Sequence, residues 1–190
     1  MERMRARGHG GTRRHRRGFT LIEAALTTVI VGVGVLAMVT AQSAFLQQNV
    51  WSTRVATAER LGNEIRELTV GLPRHDPVTG NATWGPEAGE ASVLDFDDLD
   101  DFDGTGNGTI FSSADENGPI DARRRVIPNM EGWGQIIEVF SVDGTDIAAE
   151  PGSIADGTTE FMLVRVTVTF QGPRDEVPQE MTIVQWIAAN

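Results

Sequence analysis

The feature that most constrains this chain is one apolar run, Phe19 to Ala41, which reads FTLIEAALTTVIVGVGVLAMVTA and holds a single ionisable residue, Glu23. As a helix its 23 residues cover roughly 35 Å, against about 30 Å for the hydrocarbon layer of a bilayer. The run is long enough to span. Seven Arg and one acid precede residue 19, a net charge of +6. Positive flanks stay on the cytoplasmic side, so the rest of the chain is expected to be exported. Glu23 is the anomaly, because a carboxylate costs about 2.5 to 3.5 kcal/mol at a bilayer centre and less near its boundary. An intramembrane charge needs a reason.

Several readings compete for these residues. An ordinary secretory signal has an apolar stretch of about 7 to 15 residues and a small-residue cleavage site; this run is longer and contains Glu23. Arg16-Arg17-Gly18-Phe19 is similar to a twin-arginine export pattern, and the same Glu argues against it. A plain anchor that is never cleaved leaves Glu23 unexplained. It would make the chain a membrane-anchored extracytoplasmic binding protein.

Gly18-Phe19-Thr20-Leu21-Ile22-Glu23, after a basic leader, resembles the prepilin peptidase site of type IV pilins and type II secretion pseudopilins. The resemblance implies that residues 1–18 are a leader removed after Gly18. Phe19 would become the N-methylated first residue, and Glu23, now fifth, would pair with the terminal amine of a neighbouring subunit. Each charge is costly alone among apolar helices and each satisfies the other, so the pair would set the register of assembly. A Glu that only snorkels to the interface is the plainer alternative. Gly32-Val33-Gly34-Val35-Leu36-Ala37 followed by Gln42, with no Pro in the stretch, is similar to PilV-like minor pilins. The two glycines also suit close helix approach in a membrane. The implied partners are other pilin or pseudopilin subunits, prepilin peptidase and an inner-membrane assembly platform. The implied location is the bacterial inner membrane, N-terminus cytoplasmic, and then a cell-surface or periplasmic filament. Between pilus, pseudopilus and DNA-uptake pilus the residues do not choose.

Beyond residue 18, nine Arg face 26 acids, a net charge of −17 with His neutral. Such a body repels phosphate, so no nucleic acid partner is expected. With no Cys and with His75 as the one His outside the leader, thiol nucleophiles, thiolate metal sites, His-dependent triads and multi-His zinc sites are excluded. No enzyme is expected.

The helical pattern continues past Ala41 and turns amphipathic, with Trp51, Val55, Ala58, Leu61, Ile65, Leu68 and Leu72 at three- and four-residue steps and Pro73 as the stop. Residues 19–41 would form the membrane half of a spine and 42–72 its amphipathic half; unbroken from Phe19 to Leu72, these 54 residues would reach about 80 Å. Residues 73–132, rich in Gly, Pro, Asn and Asp, read as a variable loop region with short elements. Residues 133–190 hold three strand signals, Gln135–Val142, Glu160–Gln171 and Gln179–Ala188. The expected fold class is α+β, a long helix packed on a small antiparallel sheet.

Two charged clusters stand out in the loop region. Asp95, Asp97, Asp98, Asp100, Asp101 and Asp103 crowd ten positions, Leu94 to Asp103. Mutual repulsion there favours a hard cation such as Ca²⁺, which takes about six to eight oxygens. Asp103 to Ile110, with Asn107, partly matches a calcium loop, but Ala114 stands where the twelfth-position Glu belongs. A solvated acidic loop with no cofactor is the reading we set against calcium. Arg123-Arg124-Arg125 either meets such an acidic run on a neighbouring subunit or pairs weakly within its own domain. The tryptophans Trp84, Trp133 and Trp186 read as core or loop anchors.

Overall fold

The computed structural model describes residues 19–78, 80, 83–104, 106, 108–146 and 151–188. The leader, Gly18 and Asn107 lie outside the described residues. Helix α1 runs Leu21–Thr69, and four strands follow: β1 Thr109–Ser112, β2 Trp133–Val142, β3 Phe161–Phe170 and β4 Gln179–Ala188. The chain divides into two compact units, residues 1–48 and 49–190.

The described part of the first unit is helical from Leu21 onward, and all of its residues are exposed. By length and composition α1 is long and apolar enough to cross a membrane. Thr27, Thr28, Thr40 and Ser43 each turn their hydroxyls back to a carbonyl four residues earlier, so these polar atoms are satisfied inside the helix. Among the described residues of the unit, none covers the apolar side chains.

In the second unit the last turns of α1 lie on the sheet. Ala58, Leu61, Gly62, Ile65 and Thr69 are its buried residues, the three- and four-residue spacing of one helix face. Ala58, Leu61 and Ile65, from the expected stripe, are fully covered, whereas Trp51 remains half exposed. Gly62 marks the closest approach, since a Cβ there would stand 2.5 Å from Val184 Cγ2. The helix ends three residues before the expected Leu72. Val70-Gly71 breaks the turn and the Leu72 amide donates to the Thr69 carbonyl, 3.1 Å, in keeping with the bias against helix just before Pro73.

The sheet is antiparallel throughout, in the order β1-β2-β3-β4. Alternation decides its faces: Met162, Val164, Val166 and Val168 of β3 are buried, opposite Ser141, Val139, Ile137 and Gln135 of β2, as a pleated strand with one covered face requires. The three expected strands are present as β2, β3 and β4. The fourth, β1, lies inside the stretch read as loop, and only Phe111 of its four residues is buried. A four-residue edge strand leaves too little period-two pattern to read. The architecture is thus α+β, an apolar N-terminal helix whose later turns pack on a four-stranded antiparallel sheet.

Candidate functional site

The first candidate is the start of α1. Phe19 and Thr20 precede the helix, and the Glu23 amide donates to Thr20 Oγ1, 3.3 Å, while Ala24 N–H donates to the Thr20 carbonyl, 3.1 Å. Thr20 is therefore an N-cap, and Glu23, three residues on, sits in the first turn where helix N–H groups favour a negative charge. Phe19, Leu21 and Ile22 are 71, 90 and 78% exposed, so among the described residues none shelters the side chains beside that carboxylate. Added Cβ atoms at Gly32 and Gly34 would meet nothing within 4 Å. Among the described residues the glycines make room for no contact, and they leave the helix surface low there for another helix to approach.

The second candidate is the acidic run, which is solvated at only two of its six Asp. Asp95 and Asp97 are exposed, but Asp98, Asp100, Asp101 and Asp103 are buried, and Asp100–Asp103 form a single 3-10 turn. Two of the buried acids hold the loop. Asp103 Oδ1 accepts the Val139 amide of β2, 3.0 Å, and its Oδ2 accepts Trp84 Nε1–H, 3.0 Å. Asp100 Oδ2 accepts the Gly85 amide, 3.3 Å, and its Oδ1 lies 3.2 Å from His75 Nδ1. Asp95 closes a local turn by accepting the amide and hydroxyl of Ser92, 3.1 and 2.8 Å. Asp101 Oδ2 accepts the amides of Asp97 and Asp98, 2.9 and 3.3 Å.

Around Asp101 the structure gathers acids that the sequence pattern did not single out. Asp76, Glu87 and Glu90 join Asp97, Asp98 and Asp101 in overlapping triads whose ligand atoms lie within 4.8 Å of one another. No repeat or spacing announced them, because Asp76 and the Glu87/Glu90 pair reach the run only through the folding of the loop. The crowding is visible in proton affinity. Burial, then the charge of Asp100, pushes the Asp98 carboxyl up to about 8. Burial pushes Asp100 up to about 6, and burial with the charge of Asp98 raises Asp101. Against an amide hydrogen bond from Glu87 that works the other way, burial, the Glu87 side chain and the Asp101 charge push Glu90 up to about 7. Burial and then the Arg74 charge lower the pKa of His75.

Two of the three clustered arginines act inside the unit. Arg124 Nη1 donates to the carbonyls of Val93 and Leu94, 3.0 and 3.1 Å, at the head of the acidic run. Arg125 pairs with Asp121, 2.7 Å, and the Arg125 hydrogen bond lowers the Asp121 pKa. Arg123 is exposed. Trp133 is a core residue stacked at a tilt on Phe170, with centroids 4.9 Å apart; Trp84 and Trp186 pack against the core.

No curated protein and no solved structure matches the chain. Residues 13–39 match the family model described as Prokaryotic N-terminal methylation motif, so it is over this segment, which takes in Phe19 and Glu23, that the chain is similar to prepilin-type proteins processed and methylated at their N-terminus.

Proposed function

We propose that this protein is a structural subunit, in a minor role like that of PilV-type pilins, of a type IV pilus or type II secretion pseudopilus. The observation that carries the reading is the methylation motif at residues 13–39, whose part from Leu21 onward is a helix with every residue exposed. A single copy in water would leave that surface uncovered; a bilayer covers it before assembly and neighbouring subunits cover it afterwards. In this reading prepilin peptidase cuts between Gly18 and Phe19 and methylates the new amine. Glu23, one helical turn further on, then offers its carboxylate to the amine of the next subunit. The glycines at 32 and 34 admit close packing. The sheet-bearing unit, exported, forms the outer part of the filament, and no catalytic role is assigned to it.

N-terminal sequencing and intact mass of the protein extracted from its native membrane test the proposal. The expected result is a chain that begins at Phe19 and carries the mass of one added methyl group. Recovery of a chain that still holds Arg3 to Arg17 would sink it, since the amine that Glu23 needs would not exist at that position.

A further inference from the structure

Two triads of carboxylates share Asp101: Glu87, Asp98 and Asp101, and Glu90, Asp97 and Asp101, the ligand atoms of each within 4.8 Å of one another. Two oxygens bound to one Ca²⁺ at roughly 2.3 to 2.6 Å stand at most about 5 Å apart. Each triad is therefore already within the reach of a single ion.

Asp101 is 0% exposed. Its Oδ2 is held by two amides, yet its Oδ1 is buried and faces no N–H or hydroxyl donor; the remaining hydrogen-bonding neighbour of this side chain is the carboxyl of Glu90, itself an acid. A buried carboxylate oxygen with no N–H or O–H donor is costly, and a bound cation is a direct way to satisfy it. Among the described residues, the Arg–carboxylate ion pairs join Arg60 to Glu64, Arg74 to Glu160 and Arg125 to Asp121. None reaches Glu90, Asp97, Asp98 or Asp101. Among the described residues these four acids thus have no basic partner in an ion pair, and the surrounding bonds hold the loop in place: Asp100 and Asp103 tie the 3-10 turn to Gly85, Trp84 and β2.

We propose that Glu87, Glu90, Asp97, Asp98 and Asp101 form a calcium site that orders the loop between helix and sheet. The donor set is all oxygen and rich in carboxylate, which suits a hard cation and not zinc or copper. Calcium is favoured over magnesium because Ca²⁺ accepts many carboxylates in irregular geometry, whereas Mg²⁺ demands a tight octahedron and keeps its waters. The site differs from the calcium-loop match at Asp103 to Ile110, since both oxygens of Asp103 are already engaged. It stands apart from the assembly reading, as no residue of the N-terminal segment takes part.

The test uses the full-length protein in detergent, stripped with EGTA and titrated with CaCl₂ by calorimetry and thermal melting. One Ca²⁺ per chain is expected, with a Kd of about 10⁻⁴ to 10⁻³ M as in extracellular calcium modules, and a Tm that climbs with calcium concentration. Asp101→Asn should abolish the calcium-induced rise while leaving the metal-free Tm equal or higher, because the Asn oxygen still accepts both amides and a crowded negative charge is gone. Glu90→Gln should weaken binding at least about tenfold, since ligand charge tunes affinity, and it serves as the second variant should Asp101→Asn fail to fold. Asp95→Asn, exposed and bonded to Ser92, should respond as the parent does. Absence of binding at millimolar calcium, a full response in both ligand variants, or an equal response to MgCl₂ overturns the proposal.

Discussion

Gln135 shows what one polar side chain does in this core. It is fully buried on β2, donates from Nε2 to the Leu61 carbonyl of α1 and the Ile120 carbonyl, 2.9 and 3.2 Å, and accepts the Ile120 amide at 2.8 Å. Helix, sheet and loop are joined through one amide group. Replacing it by an apolar residue of similar volume leaves the Ile120 N–H buried with no acceptor, a cost of about 1 to 3 kcal/mol. Gln135→Leu is therefore expected to lower the free energy of unfolding by that amount, read as a lower urea midpoint at an unchanged slope. An unchanged midpoint would mean that water or a shifted backbone takes the place of the amide. In the sequence Gln135 is an unremarkable residue at the start of a strand signal; its partners at 61 and 120 are far away along the chain, so the role was not legible there. Asp103 is a similar case, a member of an acidic run by sequence and a bracket between Trp84 and β2 by structure.

At the scale of elements, α1 is two helices in chemical terms. Its early turns are mostly apolar and exposed on every side, and its last turns carry one buried stripe that ends on the sheet. Gly62 belongs to that stripe because Val184 of β4 leaves no room for a methyl group. Gly62→Ala would gain about 1 kcal/mol of helix propensity and lose about 1 to 3 kcal/mol to overpacking against a stiff β-branched side chain. A net loss is expected, read as a lower Tm. In a Val184→Ala background the same substitution should cost nothing further or stabilise; a loss undiminished there would refute the contact as the cause. The stripe and the three long strands could be read from periodicity, because each is long enough to repeat. Strand β1 and the early helix stop could not, since four residues at a sheet edge and a Val-Gly step before Pro73 carry little pattern.

At the scale of the whole molecule, the chain places its apolar surface and its acid load in different segments. In the proposed filament the apolar segment is covered by other copies, and the register is set by Glu23. Glu23→Val is then expected to insert in the membrane and be processed at Phe19 as the parent is, yet to appear in sheared filaments at a small fraction of the parent level by immunoblot. Equal incorporation would remove the assembly role from this residue. The sequence by itself determined the membrane-length helix, the motif around Glu23, the α+β class and the excess of acid, because all of these are properties of neighbouring residues or of their sum. Only the tertiary structure decided which acids are solvated and which are buried, and that Asp76, Glu87 and Glu90 meet Asp97, Asp98 and Asp101. The physical reason is that periodicity records how residues share a face of one helix or strand, while the meeting of loop carboxylates depends on where irregular backbone is pinned, here by Gly85, Trp84 and the Val139 amide.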